Sequence, residues 1–335
     1  MKAIGIIANP ASGKDIRRLV SHATVIDNHE KINIVERIIL AAQSCGVEKV
    51  YIMPDSYQMG YKVYDNLVNS GELDIDLDIL DMKITASYKD SFRAAELMEE
   101  MGIQCIVALG GDGTSRAIAK GIKNCPLISL STGTNNVYPE MIEGTVAGIA
   151  AGIIAISSPS DILRTCSRNK RIEIYRDGEL LDIALVDAVI ARSLYVGSKA
   201  IWEFDDIIKI IATRGNPFSI GFSTLIGSCA ILLDQDDFAY SLDLTQNDQV
   251  ILAPIAAGIV RTFNVGFLEK ILLDSSYVYI AEEKGIIALD GEREVQFSQG
   301  DKLEFRITRQ GPLHVDVIKT IELAQKNKFF IKNQQ

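Results

Sequence analysis

The sequence predicts an α/β protein in two parts: a parallel sheet wrapped by helices, then a mainly antiparallel β domain. Short apolar runs at residues 2–8, 50–53, 106–109 and 127–130 alternate with helical patterns. After Pro159 the alternation stops and strand-like runs follow one another. A length of 335 residues suits two domains. The expected division is residues 1–160 and 161–311, with 312–335 returning to complete the first.

Residues 2–8 read as the first buried strand. Pro10 and Gly13 force the turn Asn9-Pro10-Ala11-Ser12-Gly13-Lys14-Asp15 that ends it. Ser12, Lys14 and Asp15 give this turn phosphate-compatible chemistry, although the same residues suit a plain β–α connection. Ile34, Val35, Ile38, Ile39 and Ala42 share one helical face, and Gly46 closes that helix. Residues 57–68 predict a helix, and residues 74–80, alternating acid and aliphatic, a half-exposed strand. Asp90 is expected to cap a helix that runs to Met101 and stops at Gly102.

The most informative stretch is the buried run Ile106, Val107, Ala108, Leu109, followed by Gly110-Gly111-Asp112-Gly113-Thr114 and a helix through Ala117, Ile118 and Ile122. Strand, glycine turn and helix bring backbone N–H groups and the positive end of a helix dipole to one point, where phosphate oxygens are favoured. Asp112 would repel phosphate unless a metal ion or a reacting hydroxyl lies between them. This is not the dinucleotide fingerprint, because Arg116 stands where its third glycine belongs. Nor is Gly13-Lys14-Asp15 a Walker loop, since the hydroxyl residue and upstream glycine are missing. The strand at 127–130 leads into Ser131-Thr132-Gly133-Thr134-Asn135-Asn136-Val137-Tyr138-Pro139. Its hydroxyls and amides suit a ribose, base or phosphate, or the cap of the next helix. Gly144, Gly148 and Gly152 recur every four residues in that helix, which is expected to pack closely on the sheet.

In the second half, strands at 171–175 and 180–190 are joined by the hairpin turn Arg176-Asp177-Gly178-Glu179. Further strands are expected at 250–252, 277–281, 285–289 and 303–308, and a helix at 202–211. Residues 315–324 are expected to fold back on the first domain as a strand or helix. Phe222-Ser223-Thr224-Leu225-Ile226-Gly227-Ser228 sets small hydroxyl residues around a glycine, suited to close approach by a ligand or to a core turn. Asp290-Gly291-Glu292 follows a strand and can orient an amine, a hydroxyl or a metal, although acids at a β-turn are more often simply solvated.

Composition narrows the function classes. Net charge is −10 and no Lys/Arg run marks a nucleic-acid surface, so nucleic acid is not an expected partner. Cys45, Cys105, Cys125, Cys166 and Cys229, with only His22, His29 and His314, show neither zinc spacing nor a disulfide framework. Free thiols in a reducing cytoplasm are expected. The longest apolar stretch, 145–156, is too short to cross a bilayer, and no signal peptide precedes the first strand, so no integral membrane contact is expected. No paired histidine and nucleophile suggests a triad hydrolase.

Together these stretches resemble the superfamily of NAD kinases and diacylglycerol or sphingosine-type lipid kinases. The resemblance is carried by the Asn9-Pro10 loop, by Gly110-Gly111-Asp112-Gly113-Thr114 and by Asp290-Gly291-Glu292. The loops at 9–15 and 131–139 look most like the ATP-NAD kinase-like acetoin catabolism X branch. This implies an NAD kinase-like two-domain fold, an active site in the crevice between the domains, and ATP-dependent phosphoryl transfer with Mg²⁺ or Mn²⁺. Asp112 would activate the acceptor hydroxyl, or organise the metal and phosphates.

Gly110, Gly111, Gly113 and Thr114 would form the phosphate cradle. Asn9, Ser12, Gly13 and Lys14, with Thr132, Gly133, Thr134, Asn135 and Asn136, would hold the nucleotide. Asp187, Ser223, Thr224, Gly227, Ser228, Asp290 and Glu292 would contact the acceptor. NAD kinases carry an Asn-Glu pair on an early strand of the second domain, whereas Val186-Asp187-Ala188 keeps only the acid. The expected acceptor is therefore NAD or a related small hydroxyl compound, and a homo-oligomer (dimer or tetramer) is expected. A lipid kinase with an apolar mouth and a nucleotide-binding regulator without turnover are the alternatives.

Overall fold

Six consecutive apolar positions, Ala3–Ala8, form β1 and are buried throughout, as a strand covered on both faces by helices must be. The computed structural model describes residues 2–12, 22–24, 26–192 and 206–331. Beyond β1 the chain alternates through α1 (Asn28–Ser44), β2 (Lys49–Ile52), α2 (Met59–Ser70), β3 (Asp76–Ile79) and α3 (Tyr88–Glu100). It continues through β4 (Cys105–Gly110), α4 (Asp112–Gly121), β5 (Pro126–Ser131), α5 (Gly144–Ile156), α6 (Pro159–Thr165) and β6 (Cys166–Arg168).

The second part opens with β7 (Arg171–Arg176), β8 (Glu179–Ala184), β9 (Asp187–Ala191), β10 (Ile207–Ala212), α7 (Ser223–Cys229) and β11 (Phe238–Asp243). Then come β12 (Gln249–Ala256), β13 (Ile259–Val265), β14 (Leu268–Leu272), β15 (Ser276–Ile280), β16 (Gly285–Leu289), β17 (Glu292–Phe297) and β18 (Lys302–Thr308). Last are β19 (Leu313–Val315) and α8 (Val317–Lys326).

Among the described residues the first sheet has the order β3-β2-β1-β4-β5-β19-β6. Every pair from β3 to β19 is parallel, and β6 runs antiparallel to β19. Apolar residues of α1, α2, α5 and α8 cover one face, and those of α3 and α4 the other. The order turns outward in both directions from β1 and β4. Such a switch point leaves a crevice at the strand C-termini, because the connections depart to opposite faces.

The second domain is antiparallel: a sheet of order β14-β11-β10-β9-β16-β17, a sheet β15-β18-β7-β8 and the ribbon β12-β13. The two larger sheets share a core that includes Ile172, Ile190, Phe297 and Phe305. The Asp177-Gly178 turn between β7 and β8 has φ +52° and +80°, the two left-handed positions of a type I′ hairpin.

Several expectations are corrected. Residues 180–190 make two strands, β8 and β9, in different sheets. The helix expected at 202–211 is not formed where the chain is described: Ile207–Ala212 is strand β10, and 202–205 lie outside the described residues. Isoleucines at 207, 208, 210 and 211 fit either period, but their branched Cβ atoms favour the pleated sheet. The cap of α3 is Ser87, whose side chain accepts from Lys89 N–H. Asp90 sits inside the helix and reaches back to Thr85 and Ala86 N–H, both at 2.8 Å. Residues 315–324 supply both forms, since β19 enters the first sheet and α8 packs on α5 and α6. All five cysteines are free. Among the described residues, no helix is long and apolar enough to cross a membrane.

The glycine face of α5 lies on α1 rather than on the sheet. A Cβ on Gly144 would sit 3.0 Å from the carbonyl oxygen of Ile34, one on Gly152 2.6 Å from Cys45 Cβ, and one on Gly148 would overlap the carbonyl oxygen of Ile38. Backbone cannot yield as a side-chain tip can. Gly148→Val should therefore cost about 3 kcal/mol, the upper end of the usual overpacking range, as measured by urea unfolding. An unchanged midpoint would show that the α1–α5 contact is not fixed by backbone approach.

Candidate active site

The crevice at the β1–β4 switch point has a volume of about 620 Å³ and is closed on its far side by the second domain. Four strand ends of the first sheet reach it: Asn9 after β1, Asp55 and Ser56 after β2, Ala86 to Tyr88 ahead of α3, and Gly111 to Thr114 after β4. Asp290, Gly291 and Glu292 face them from the β16–β17 turn.

The first turn of α4 lines this crevice, and its cap residue, Gly111, offers no side chain to satisfy it. None of Gly110, Gly111 or Gly113 has positive φ. These residues are glycine because side chains crowd them. A Cβ would lie 2.5 Å from Thr114 Oγ1 at Gly110, and 2.7 Å from Asn136 Oδ1 at Gly111. At Gly113 it would overlap the carboxylate of Glu292. Asn9 Nδ2 donates to Thr114 Oγ1 at 2.9 Å, tying the first loop to the glycine turn.

Asp112 is held by main chain. Val137 N–H donates to both its oxygens at 3.0 and 3.1 Å, and Tyr138 N–H donates to Oδ1 at 2.7 Å. These bonds fix the orientation of the carboxylate. The loop after β5 thus aims Asp112. Within that loop Asn136 lines the crevice, while Thr132, Gly133, Thr134 and Asn135 are not among the lining residues. Thr132 is buried and donates to Ser12 Oγ at 3.0 Å, and Asn136 Nδ2 donates to Ser131 Oγ at 2.8 Å.

Asp290 is not the solvated acid that its turn suggests. With φ +51° it shares a type I′ turn with Gly291, and its buried carboxylate accepts from Leu185, Val186 and Asp187 N–H. Burial pushes this carboxyl above its usual range, opposed by Arg116 and by those backbone donors. Arg116, only 3% exposed, leaves α4 and meets Asp182 at 3.3 Å, Asp290 at 3.8 Å and Glu292 at 3.1 Å. Lys120, one turn later, reaches the other oxygen of Asp182 at 2.6 Å.

The structure does not gather every expected residue. Ser223, Thr224 and Gly227 are buried in α7, Ser228 lies in its last turn, and none of them lines the crevice. Gly227 is instead packed on the backbone of Asn216. The side chain of Asp187 is buried and also does not line the crevice. Gly13 and Lys14 lie outside the described residues.

Other participants were missed. Lys31 is 1% exposed and donates to the carbonyls of Asn9 and Ser12, both at 2.9 Å, holding the first loop. A lysine at an inward position of an amphipathic helix was its available signal. Arg116 and Lys120 follow Asp112 at four-residue intervals, one face of α4, a spacing that marks the cluster once Asp112 is suspected.

The first class these features define is the NAD kinase-like fold. Residues 4–157 match the ATP-NAD kinase N-terminal domain, and residues 170–310 the acetoin catabolism protein X C-terminal domain. Acetoin catabolism protein X of Cupriavidus necator is 36% identical over 333 residues, covering 96% of this chain and 90% of that protein. The chain belongs to the acetoin catabolism protein X family. An NAD kinase of Methanosarcina barkeri is 22% identical over 225 residues, 64% of this chain and 74% of that one. A crystal structure of yeast NADH kinase complexed with NADH covers 99% of this chain and 89% of its own, with a TM-score of 0.52 at 13% identity, a likeness of fold.

Arg116→Met should lower stability by about 3–5 kcal/mol at neutral pH, the scale of a buried charge left unpaired. Without the guanidinium, the raised carboxyl of Asp290 binds its proton more readily in the folded than in the unfolded chain. Stability of the variant then falls as pH rises through the window between the unfolded and folded carboxyl values, and recovers as pH is lowered. Urea unfolding from about pH 4 upward reads this directly. A loss independent of pH would remove Asp290 from the account.

Proposed function

We propose that the chain is an ATP-dependent kinase that transfers the γ-phosphoryl group to a hydroxyl of NAD or a related polar compound. The observation that carries this reading is an uncapped helix N-terminus in a crevice beside a carboxylate aimed by two backbone N–H groups. The first turn of α4 suits phosphate oxygens. Phosphoryl transfer needs in-line positioning and charge neutralisation more than a nucleophilic side chain.

The charge balance of the crevice points to a metal. Its described lining holds five acids, Asp55, Asp90, Asp112, Asp290 and Glu292, and neither Lys nor Arg. Asp55 and Asp90 are occupied by backbone N–H groups of their own loops. Among the described residues no three His, Cys, Asp or Glu side chains are grouped to hold an ion. That suits Mg²⁺ or Mn²⁺ arriving with a nucleotide, since such ions take one or two carboxylates plus phosphate oxygens. Asp112 and the half-exposed Glu292 would hold it, and it would neutralise the transferred charge. The Asp112 carboxylate would orient the acceptor hydroxyl, while Asn136 and Thr114 border the same space.

Most of the lining residues carry polar side chains, five of them acids, which favours a nucleotide or small hydroxyl compound over a lipid acceptor. Asp112→Asn should leave the fold intact and cut phosphoryl transfer by about 100-fold or more. Incubation with ATP, Mg²⁺ and NAD, read by an NADP-specific dehydrogenase, tests the acceptor. NADP no higher than in Asp112→Asn, with another compound phosphorylated, would move the acceptor away from NAD. ADP binding without any phosphorylated product across a panel of alcohols would instead identify a nucleotide-binding regulator.

A further inference from the structure

A second concave site lies at the opposite end of α4. The crevice takes the first turn of that helix, while a groove of about 740 Å³ takes its last turn, where Lys120, Ile122, Lys123 and Asn124 meet Arg168, Arg171 and Arg309. Ten residues of helix separate the two by about 15 Å. The groove lining holds five cations, Lys120, Lys123, Arg168, Arg171 and Arg309, against one carboxylate, Asp182. In a chain of net charge −10 that is a local reversal.

Some of this charge has structural work. Arg168 donates to the carbonyl of Lys123, to Asn124 Oδ1 at 3.1 Å and to the carbonyl of Gly311 at 3.3 Å, which ties the turn after α4 to the segment between β18 and β19. Arg171 pairs with Glu173 at 2.5 Å, and Arg309 with Asp237 at 2.9 Å. The remainder is not compensated. The partners of Arg168 are neutral oxygens, and Lys123 is exposed with no ion pair among the described residues. These loop contacts hold one guanidinium in place without cancelling its charge, and leave a concave surface with surplus positive charge.

We propose that this groove binds a small, multiply charged phosphate compound, distinct from the ligand of the crevice. Its size suits a small molecule. Guanidinium forks and lysine ammonium groups are the donors that phosphate oxygens take most readily. Asp182, the one acid of the groove, competes with the ligand for Lys120. Removing its charge strengthens binding, whereas reversing the charge of Lys123 weakens it.

The test is calorimetric titration of the full chain with inorganic pyrophosphate, without divalent metal. Micromolar to low-millimolar binding that weakens with added salt is expected. Lys123→Glu should reduce the affinity about tenfold or more, the scale of a lost charged hydrogen bond. Asp182→Asn should raise it several-fold, a gain that damage to the fold does not produce. Asp112→Asn, at the crevice, should leave it within about twofold, the tenths of a kcal/mol expected between independent sites. Absence of pyrophosphate binding overturns the proposal. So does binding that ignores Lys123→Glu and Lys123→Ala, or binding that responds only to Asp112→Asn.

Discussion

The guanidinium of Arg116 starts in the first domain and ends among three acids of the second, almost wholly out of water. Taking a charge into such a place is unfavourable unless its partners are fixed in advance. Here they are. Asp182 is shared with Lys120, Asp290 is fastened to three consecutive backbone N–H groups, and Glu292 rests against Gly113. The wall of the crevice that comes from the second domain is therefore set by a contact with α4, the helix whose first turn forms the floor. Floor and wall share one rigid element.

Main chain does most of the arranging inside the crevice. Asp112, Asp55, Asp90 and Asp290 each accept from backbone N–H groups of neighbouring turns. Acids held in this way cannot swing toward an incoming anion, nor withdraw from a cation. The glycines of the 110–113 turn contribute space for Thr114, Asn136 and Glu292 rather than unusual backbone angles. Substituting them disturbs neighbours before it strains the chain.

Much of the fold was legible in the sequence for identifiable reasons. β1, β4 and β5 are covered on both sides and read as apolar runs, interrupted in β5 only by the buried Ser129 before the strand ends at Ser131. The Asp177-Gly178 turn announces itself through residues that tolerate positive φ. β10 was misread because a short aliphatic run fits both periods; the Ser223 to Ser228 stretch reads as a ligand approach or a core turn because small hydroxyl residues serve both, and it lies in α7 outside the crevice lining. The Arg116 cluster was hidden by distance along the chain: its acids lie 66 and 176 residues away at Asp182 and Glu292. Asp112 was legible because its neighbours in sequence are its neighbours in space. Arg116 was not.

The return of β19 bears on how the molecule is made. Glu140 covers the outer edge of β5 at Ser129 and Ser131, but Pro126 and Leu127 find their outer partner only in residues 313–315, which leave the ribosome after the whole antiparallel domain at 170–310. Until then the first half of β5 presents an open hydrogen-bonding edge, of the kind that recruits strands from other chains. The two crossings between the domains are bonded to each other, with Asn169 N–H on the carbonyl of Pro312 and Gly311 N–H on the carbonyl of Asn169. The nascent first sheet thus waits for its final seam, and its vulnerable interval in translation equals the time needed to synthesise the second domain.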